Sequence, residues 1–141
     1  MTPPPQVPIG LELARTAKAV SRAFDAALIE AGGSLPVWVV LLALRSGRPG
    51  TQRELAEAVG IQGATLTHHL TAMERDGLVV RMRDPGNRRV QQVELTAAGE
   101  EMFDRLRVAA RAHDERLRKG LSESEVGELE RLLGQMRGNV A

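Results

Sequence analysis

The sequence is poor in the features that several classes of protein require. It has no cysteine, one tryptophan and two phenylalanines among 141 residues, and its formal net charge is +1. Without cysteine, a disulfide framework, a thiolate zinc site and a thiol redox switch are excluded. Near-neutral charge argues against a non-specific nucleic-acid coat, but it allows a local basic footprint. The longest apolar run, residues 37–44, is too short to span a bilayer and predicts a core helix.

Catalytic and metal-binding patterns are also missing. His68 and His69 are adjacent, so on a helix they point about 100° apart, unlike the i, i+4 pair of a zinc-binding helix. No glycine-rich phosphate loop follows a strand, and no serine occupies a nucleophile elbow. We therefore expect a single-domain cytoplasmic protein that is not an enzyme, with no cofactor, no metal and no membrane partner.

Residues 51–75 read as a helix-turn-helix. Thr51 and Glu54 have the spacing of a capping box, and Gly60 follows where a helix C-terminus needs positive φ. In the second helix, Leu66, Leu70 and Met73 form a narrow apolar stripe that must pack inward. The opposite face is left for a partner.

That face has the composition of a recognition helix. Small residues at its start would let the backbone approach the major groove, and polar side chains could reach base edges or phosphates. The predicted DNA-contacting residues are Gln62, Gly63, Ala64, Thr65, Thr67, His68 and Thr71. The competing interpretation is an ordinary amphipathic helix with a solvated polar face.

The segment that follows favours DNA. Leu78, Val79 and Val80 read as a strand that enters a polar turn at residues 81–89, from which Val90 and Val93 lead the chain back. The turn has four arginines against one aspartate, which suits a phosphate backbone or a narrow minor groove. The predicted DNA-contacting wing residues are Arg81, Arg83, Asn87, Arg88 and Arg89.

Over essentially its whole length the chain resembles the multiple-antibiotic-resistance regulator (MarR) family of bacterial-type winged-helix transcription factors. The resemblance rests on residues 65–70 (TLTHHL), 73–79 (MERDGLV), 84–89 (DPGNRR) and 93–99 (VELTAAG). In the family the wing ends in Asp-Arg-Arg, which implies that Arg88 probes the minor groove and that Arg89 is braced. Here Asn87 replaces the aspartate, so the brace is a weaker neutral bond, unless Asp84 shares it or the two arginines exchange roles.

The predicted fold is mainly α with a small β-wing. Residues 1–8 contain four prolines and form a flexible arm, residues 34–95 form the winged helix-turn-helix lobe, and residues 9–33 and 96–141 form dimerisation helices. Their apolar stripes are longer than one small domain needs, although they could simply close a monomeric core. Ser122 and Glu125 make a second capping box.

The expected function is that of a homodimeric, sequence-specific regulator of double-stranded DNA, a repressor released by a small ligand. Its operator would be a near-palindrome with half-sites about 34 to 36 Å apart. The resemblance implies an aromatic or phenolic effector in a crevice that Arg15, Trp38, Arg45 and His113 could reach, although each of these also has a structural explanation. The alternative function is a winged helix that binds only proteins.

Overall fold

The computed structural model describes residues 1–3, 6–47 and 51–141, apart from the Arg88 side chain. The fold is mainly α with one two-stranded sheet, as predicted. The elements in chain order are α1 (Ile9–Glu30), α2 (Leu35–Gly47), α3 (Gln52–Val59), α4 (Gly63–Arg75), β1 (Val79–Asp84), β2 (Asn87–Leu95), α5 (Ala97–Arg118) and α6 (Glu123–Val140).

Local capping chemistry explains where most helices begin and end. The Ser122 and Glu125 box at the start of α6 forms reciprocally, as expected. At α3, the Thr51 hydroxyl accepts from the Glu54 backbone N–H at 3.1 Å. The Glu54 carboxylate, however, accepts from that hydroxyl rather than from the Thr51 N–H, so the predicted reciprocal box is replaced by a side-chain bond. Gly60 closes α3 with φ 79°, the left-handed conformation that glycine adopts without strain.

The core joins the helix-turn-helix to the long helices. The predicted stripe of α4, Leu66, Leu70 and Met73, is buried. The fully buried side chains are Leu28, Val40, Leu41, Leu55, Leu66, Leu70, Met73, Val79 and Leu106. Leu28 of α1 also belongs to this core. α2 contributes Val40 and Leu41 and is central, as its composition indicates.

The wing is a hairpin whose strands are longer than predicted. β1 and β2 pair antiparallel from Val79–Leu95 to Arg83–Gln91, so the arginines at 81 and 83 lie in a strand and only residues 85–86 form the turn. Asp84 pairs with Asn87, which leaves residues 88–90 of β2 unmatched between two ladder positions. Such an irregularity bends a strand and re-aims its side chains, and it falls at the paired arginines.

The outer helices retain exposed apolar residues. None of the residues of α6, all of which the structure describes, is buried. The large apolar side chains exposed on α1, α5, α6 and the turn before α6 include Leu11, Leu13, Leu117, Leu121, Leu129 and Leu132. Among the described helices, none is by itself long and apolar enough to cross a membrane; Ile9–Glu30 and Leu35–Ser46 meet that test only as a pair bent by 81°.

Candidate nucleic-acid interface

The predicted recognition face of α4 lies open to solvent. All seven residues assigned to it are exposed: Gln62, Gly63, Ala64, Thr65, Thr67, His68 and Thr71. Because the buried stripe of α4 holds the opposite side of the helix against the core, this face is presented as a rigid surface. Its small residues occupy the first turn, where close approach of a partner is easiest.

A side chain that sequence reasoning missed ties this helix to α3. Gln52 donates from its amide nitrogen to the Thr67 hydroxyl at 2.6 Å, and Thr67 in turn donates to the Gly63 carbonyl at 2.9 Å. The contact joins residues fifteen positions apart and depends on the angle between the two helices. Periodicity within either helix therefore gives no signal for it. It fixes the start of α4 relative to α3.

The two adjacent histidines have different surroundings. His68 is exposed, whereas His69 is half-buried, and their ring centres are 5.9 Å apart with planes tilted by 58°. The rings thus diverge, as their helical positions require. Of the two, His68 has the geometry to reach a groove.

The tip of the wing is only partly as predicted. Arg83 and Arg89 are exposed, while the side chain of Arg88, the predicted probing arginine, lies outside the described part of the chain. Asn87 accepts a hydrogen bond at 3.1 Å from the backbone N–H of Arg89. Its amide oxygen therefore stabilises the main chain of the turn. The brace of an arginine by Asn87 stays a prediction, because the Arg88 side chain lies outside the described residues.

Arg81 does not stand among the exposed wing arginines. Its side chain is only 19% exposed, and one guanidinium nitrogen lies 3.2 Å from Glu74 and 3.2 Å from the Thr71 hydroxyl. These hydrogen bonds hold the pKa of the Glu74 carboxyl below its ordinary value, with the Arg81 side chain as the main cause and the Arg81 backbone N–H as the second. Arg81, which was predicted to contact DNA, is therefore hydrogen-bonded to the C-terminal part of α4.

An open groove of about 1250 Å³ connects the two predicted contact regions. It is lined by α3, the turn after it, the first residues of α4 and one edge of β2. Arg89 of the wing and Thr65 of α4 both line it, as do Arg53 and Glu57. Recognition helix and wing therefore share one concave surface, to which Thr65, Thr67 and Arg89 contribute hydrogen-bonding groups.

The residues predicted to reach an effector crevice do not meet at one place. Trp38 stacks on Phe103 with ring centres 5.6 Å apart, and the guanidinium carbon of Arg45 lies 5.2 Å from the Phe103 ring centre. Arg45 also pairs with Glu100. His113 stacks instead on Phe24 at 5.0 Å. Arg15 is exposed on α1.

Sequence reasoning overlooked Phe103 as the ring that joins Trp38 to Arg45. Phe103 lies on α5, and no pattern within that helix specifies a contact with Trp38 or Arg45. The partner ring comes from α2, so the stack forms only when the two helices pack.

The family model described as "MarR family" matches residues 34–90. Among solved structures, the chain is 29% identical to the transcriptional repressor CouR bound to a 23-mer DNA duplex, with 92% of each chain covered and a TM-score of 0.81. It is 26% identical to CouR from Rhodococcus jostii RHA1 bound to p-coumaroyl-CoA, covering 91% of this chain and 90% of that one with a TM-score of 0.73. The PcaV transcriptional regulator from Streptomyces coelicolor shares the fold at 24% identity, with 95% and 98% covered and a TM-score of 0.84.

Proposed function

We propose that this chain, whose residues 34–90 match the MarR family model, is a winged-helix DNA-binding regulator of that family. We propose further that it is a sequence-specific repressor that binds a near-palindromic operator as a homodimer in the cytoplasm. Release from DNA follows binding of a small aromatic or phenolic effector. The observation that supports this proposal most directly is the shared surface of α4 and the wing, on which an exposed polar helix face adjoins exposed arginines.

The recognition helix and the wing have different proposed roles, which follow from the side chains that each one exposes. His68 and Thr65 stand on the recognition face, where hydrogen-bonding groups reach base edges in a major groove. Arg83 and Arg89 extend from the hairpin, where positive charge suits phosphates or a narrow minor groove. Base contacts then give specificity, while phosphate contacts fix the register of the protein on the duplex.

The exposed apolar residues of the outer helices support a homodimer. Leu129 and Leu132 of α6 are 47% and 42% exposed, and Leu13 of α1 is 38% exposed. A two-fold axis would bury these residues against the same surface patch of a second copy. It would also place two recognition helices in successive major grooves, about one helical turn apart.

Effector release requires two states of the dimer. A ligand that binds better to a dimer whose recognition helices are wrongly spaced for DNA shifts the population away from the operator. With a typical coupling of roughly 1 to 3 kcal/mol, effector and operator weaken each other about 5- to 150-fold. We propose Trp38 and Arg45, which meet at the Phe103 ring, as effector-contacting residues, with the Trp38–Phe103 stack as the aromatic part of the site. His113 and Arg15 lie apart from that ring and are not included.

Selection of the purified protein against a random duplex library at about 150 mM salt, which suppresses non-specific binding, tests the proposal. We expect an enriched inverted repeat, and a dimer on it by light scattering. The matched control is the Arg83→Gln, Arg89→Gln double variant, which keeps the recognition face and lowers the wing charge. Recovery of no enriched sequence by the wild type would contradict sequence-specific binding and favour a protein-binding winged helix.

A further inference from the structure

We propose that Arg81 is a positioning residue that, together with Glu74 and Thr71, fixes the angle of the wing against the recognition helix and makes no contact with DNA itself. This inference rests on the proposed DNA-binding function. It assigns a different task to an arginine that composition alone groups with the DNA-contacting residues of the wing.

The contacts join the wing to the helix through two kinds of bond. One Glu74 oxygen accepts from the Arg81 backbone N–H at 3.0 Å, and the other accepts from the Arg81 guanidinium at 3.2 Å. A single carboxylate of α4 thus holds both the main chain and the side chain of one β1 residue. Two bonds to one residue restrict rotation of the strand as well as its distance from the helix.

Thr71 completes the arrangement. Its hydroxyl accepts from the Arg81 guanidinium at 3.2 Å and donates its one proton to the Thr67 carbonyl at 2.8 Å. A hydroxyl has one donor and two acceptor positions, so Thr71 has no proton left for a base and one acceptor position to offer. The predicted reading role of Thr71 is therefore limited to accepting from a base amino group.

Arg83 provides the contrast that identifies this role. It lies two residues along the same strand and so on the same face as Arg81. Arg83 is exposed, whereas Arg81 is 19% exposed and paired. Both residues add the same charge to the wing, so a difference between them in DNA binding reports position and not net charge.

Glu74 makes the test sharp because charge and geometry predict opposite results. A carboxylate near DNA repels phosphates, so its neutralisation by Glu74→Gln should tighten binding if charge alone matters. If Glu74 positions the wing, the same substitution weakens binding. We expect operator affinity to fall about 1.5- to 5-fold, as removal of a partly exposed charge pair implies, with the salt dependence of the wild type.

The experiment compares Arg81→Gln, Arg81→Lys, Glu74→Gln and Arg83→Gln. A lysine keeps the charge but lacks the guanidinium fork, so a positioning role predicts that Arg81→Lys binds as weakly as Arg81→Gln. The double variant Glu74→Gln, Arg81→Gln should bind no worse than Arg81→Gln alone, because both changes break the same Glu74–Arg81 contact. We call this contact the Arg81 brace. Two results together would overturn the proposal. One is wild-type binding by Arg81→Lys, and the other is a dependence of log K on log salt that Arg81→Gln reduces by the contribution of about one phosphate contact.

Hydrogen exchange of the free protein tests the brace without DNA. The amides of β1 and β2 should exchange faster in Arg81→Gln and Glu74→Gln and at the wild-type rate in Arg83→Gln, since only the first two substitutions break the bonds between β1 and α4. Unchanged exchange in both brace variants would overturn the inference. If the wild type binds no duplex, the proposed function fails, while this measurement still decides whether Arg81 holds the wing.

Discussion

Gly99, in the first turn of α5, packs directly against the backbone carbonyl of Leu78, so that a β-carbon at position 99 would overlap that oxygen. Thr96, the N-cap of α5, donates to the neighbouring Gly77 carbonyl at 2.5 Å and accepts from the Gly99 N–H at 3.0 Å. These contacts hold the start of α5, a proposed dimerisation helix, against Gly77 and Leu78, which connect the recognition helix α4 to β1. A displacement of α5 must therefore also move the segment between α4 and β1.

Gly99→Ala is expected to destabilise the protein. The atom that a β-carbon would strike belongs to the backbone and cannot rotate away, so either α5 or β1 must shift. Overpacking of this kind costs about 1 to 3 kcal/mol of the free energy of unfolding. Urea denaturation of the wild type and the variant measures the difference.

Gly127→Ala is the matched control for this substitution. Gly127 lies in α6, and a β-carbon there meets no atom within 4 Å. Replacing a helical glycine by alanine in open space should stabilise the helix by about 0.5 to 1 kcal/mol. Equal effects at positions 99 and 127 would show that the Leu78 carbonyl is not a constraint.

The wing arginines are expected to bind phosphates. Arg89→Ala and Arg88→Ala should each weaken binding across many sequences and reduce the dependence of log K on log salt by about 0.9 for each phosphate that the arginine neutralises. Titration of a fixed duplex at several salt concentrations gives that slope. A variant that instead loses preference for A·T-rich flanks, with the slope unchanged, identifies the arginine that enters the minor groove.

His68→Ala should change specificity more than affinity. If the exposed imidazole contacts a base edge, preference at one position of each half-site falls by roughly 1 to 3 kcal/mol. Repeating the library selection with the variant reads this out, and His69→Ala, altered at the half-buried neighbour, serves as the control. An unchanged selected motif would exclude His68 as a base-reading residue.

The sequence predicts those parts of the fold that local rules determine. The buried α4 stripe, the left-handed Gly60 and the Ser122 capping box follow from spacing along one element, and each is found in the structure. The extent of the wing strands was predicted wrongly. A run of charged residues in a polar segment is typical of a turn, so Arg81 was assigned to the turn. In the structure Arg81 lies in β1, where Glu74 of α4 stabilises it.

The same distinction applies to the candidate site. Exposure of the recognition face follows from helical periodicity, so it could be predicted. The Gln52–Thr67 bond and the Trp38–Phe103 stack depend on angles between helices, which no single-element pattern specifies. Asn87 shows a third case, because its side chain accepts a hydrogen bond from the backbone N–H two residues ahead, a contact that the family pattern does not indicate.

Leu132→Glu should dissociate the proposed dimer. Leu132 is 42% exposed on α6, and burial of this remaining surface contributes about 0.6 to 1.3 kcal/mol in each of the two symmetric copies. A charge there should raise the dimer dissociation constant by at least about 10-fold and reduce operator binding. Sedimentation equilibrium measures the assembly state, and circular dichroism should show that the helices persist.

Gln135→Glu provides the control for that experiment. It adds the same charge to the same helix, but outside the apolar stripe and next to Arg131, which already donates to Gln135 at 3.3 Å. We expect a dimer of wild-type stability. Dissociation by both variants would indicate a general effect of charge on α6, and dissociation by neither would exclude this helix as the interface.

The Glu74 carboxyl should titrate below the ordinary glutamate range because hydrogen bonds from Arg81 favour its charged form. A lowered pKa means that the stabilisation is present at neutral pH and is lost only as the pH falls through that pKa, below the usual value of about 4.3. Carboxyl NMR titration of the wild type and Arg81→Gln measures the pKa of Glu74.

The Glu128 carboxyl provides an internal reference, because its pKa is also lowered, in this case by Arg131. Arg81→Gln should raise the pKa of Glu74 and leave that of Glu128 unchanged; a Glu74 pKa that is the same in both proteins would show that the brace does not persist in solution.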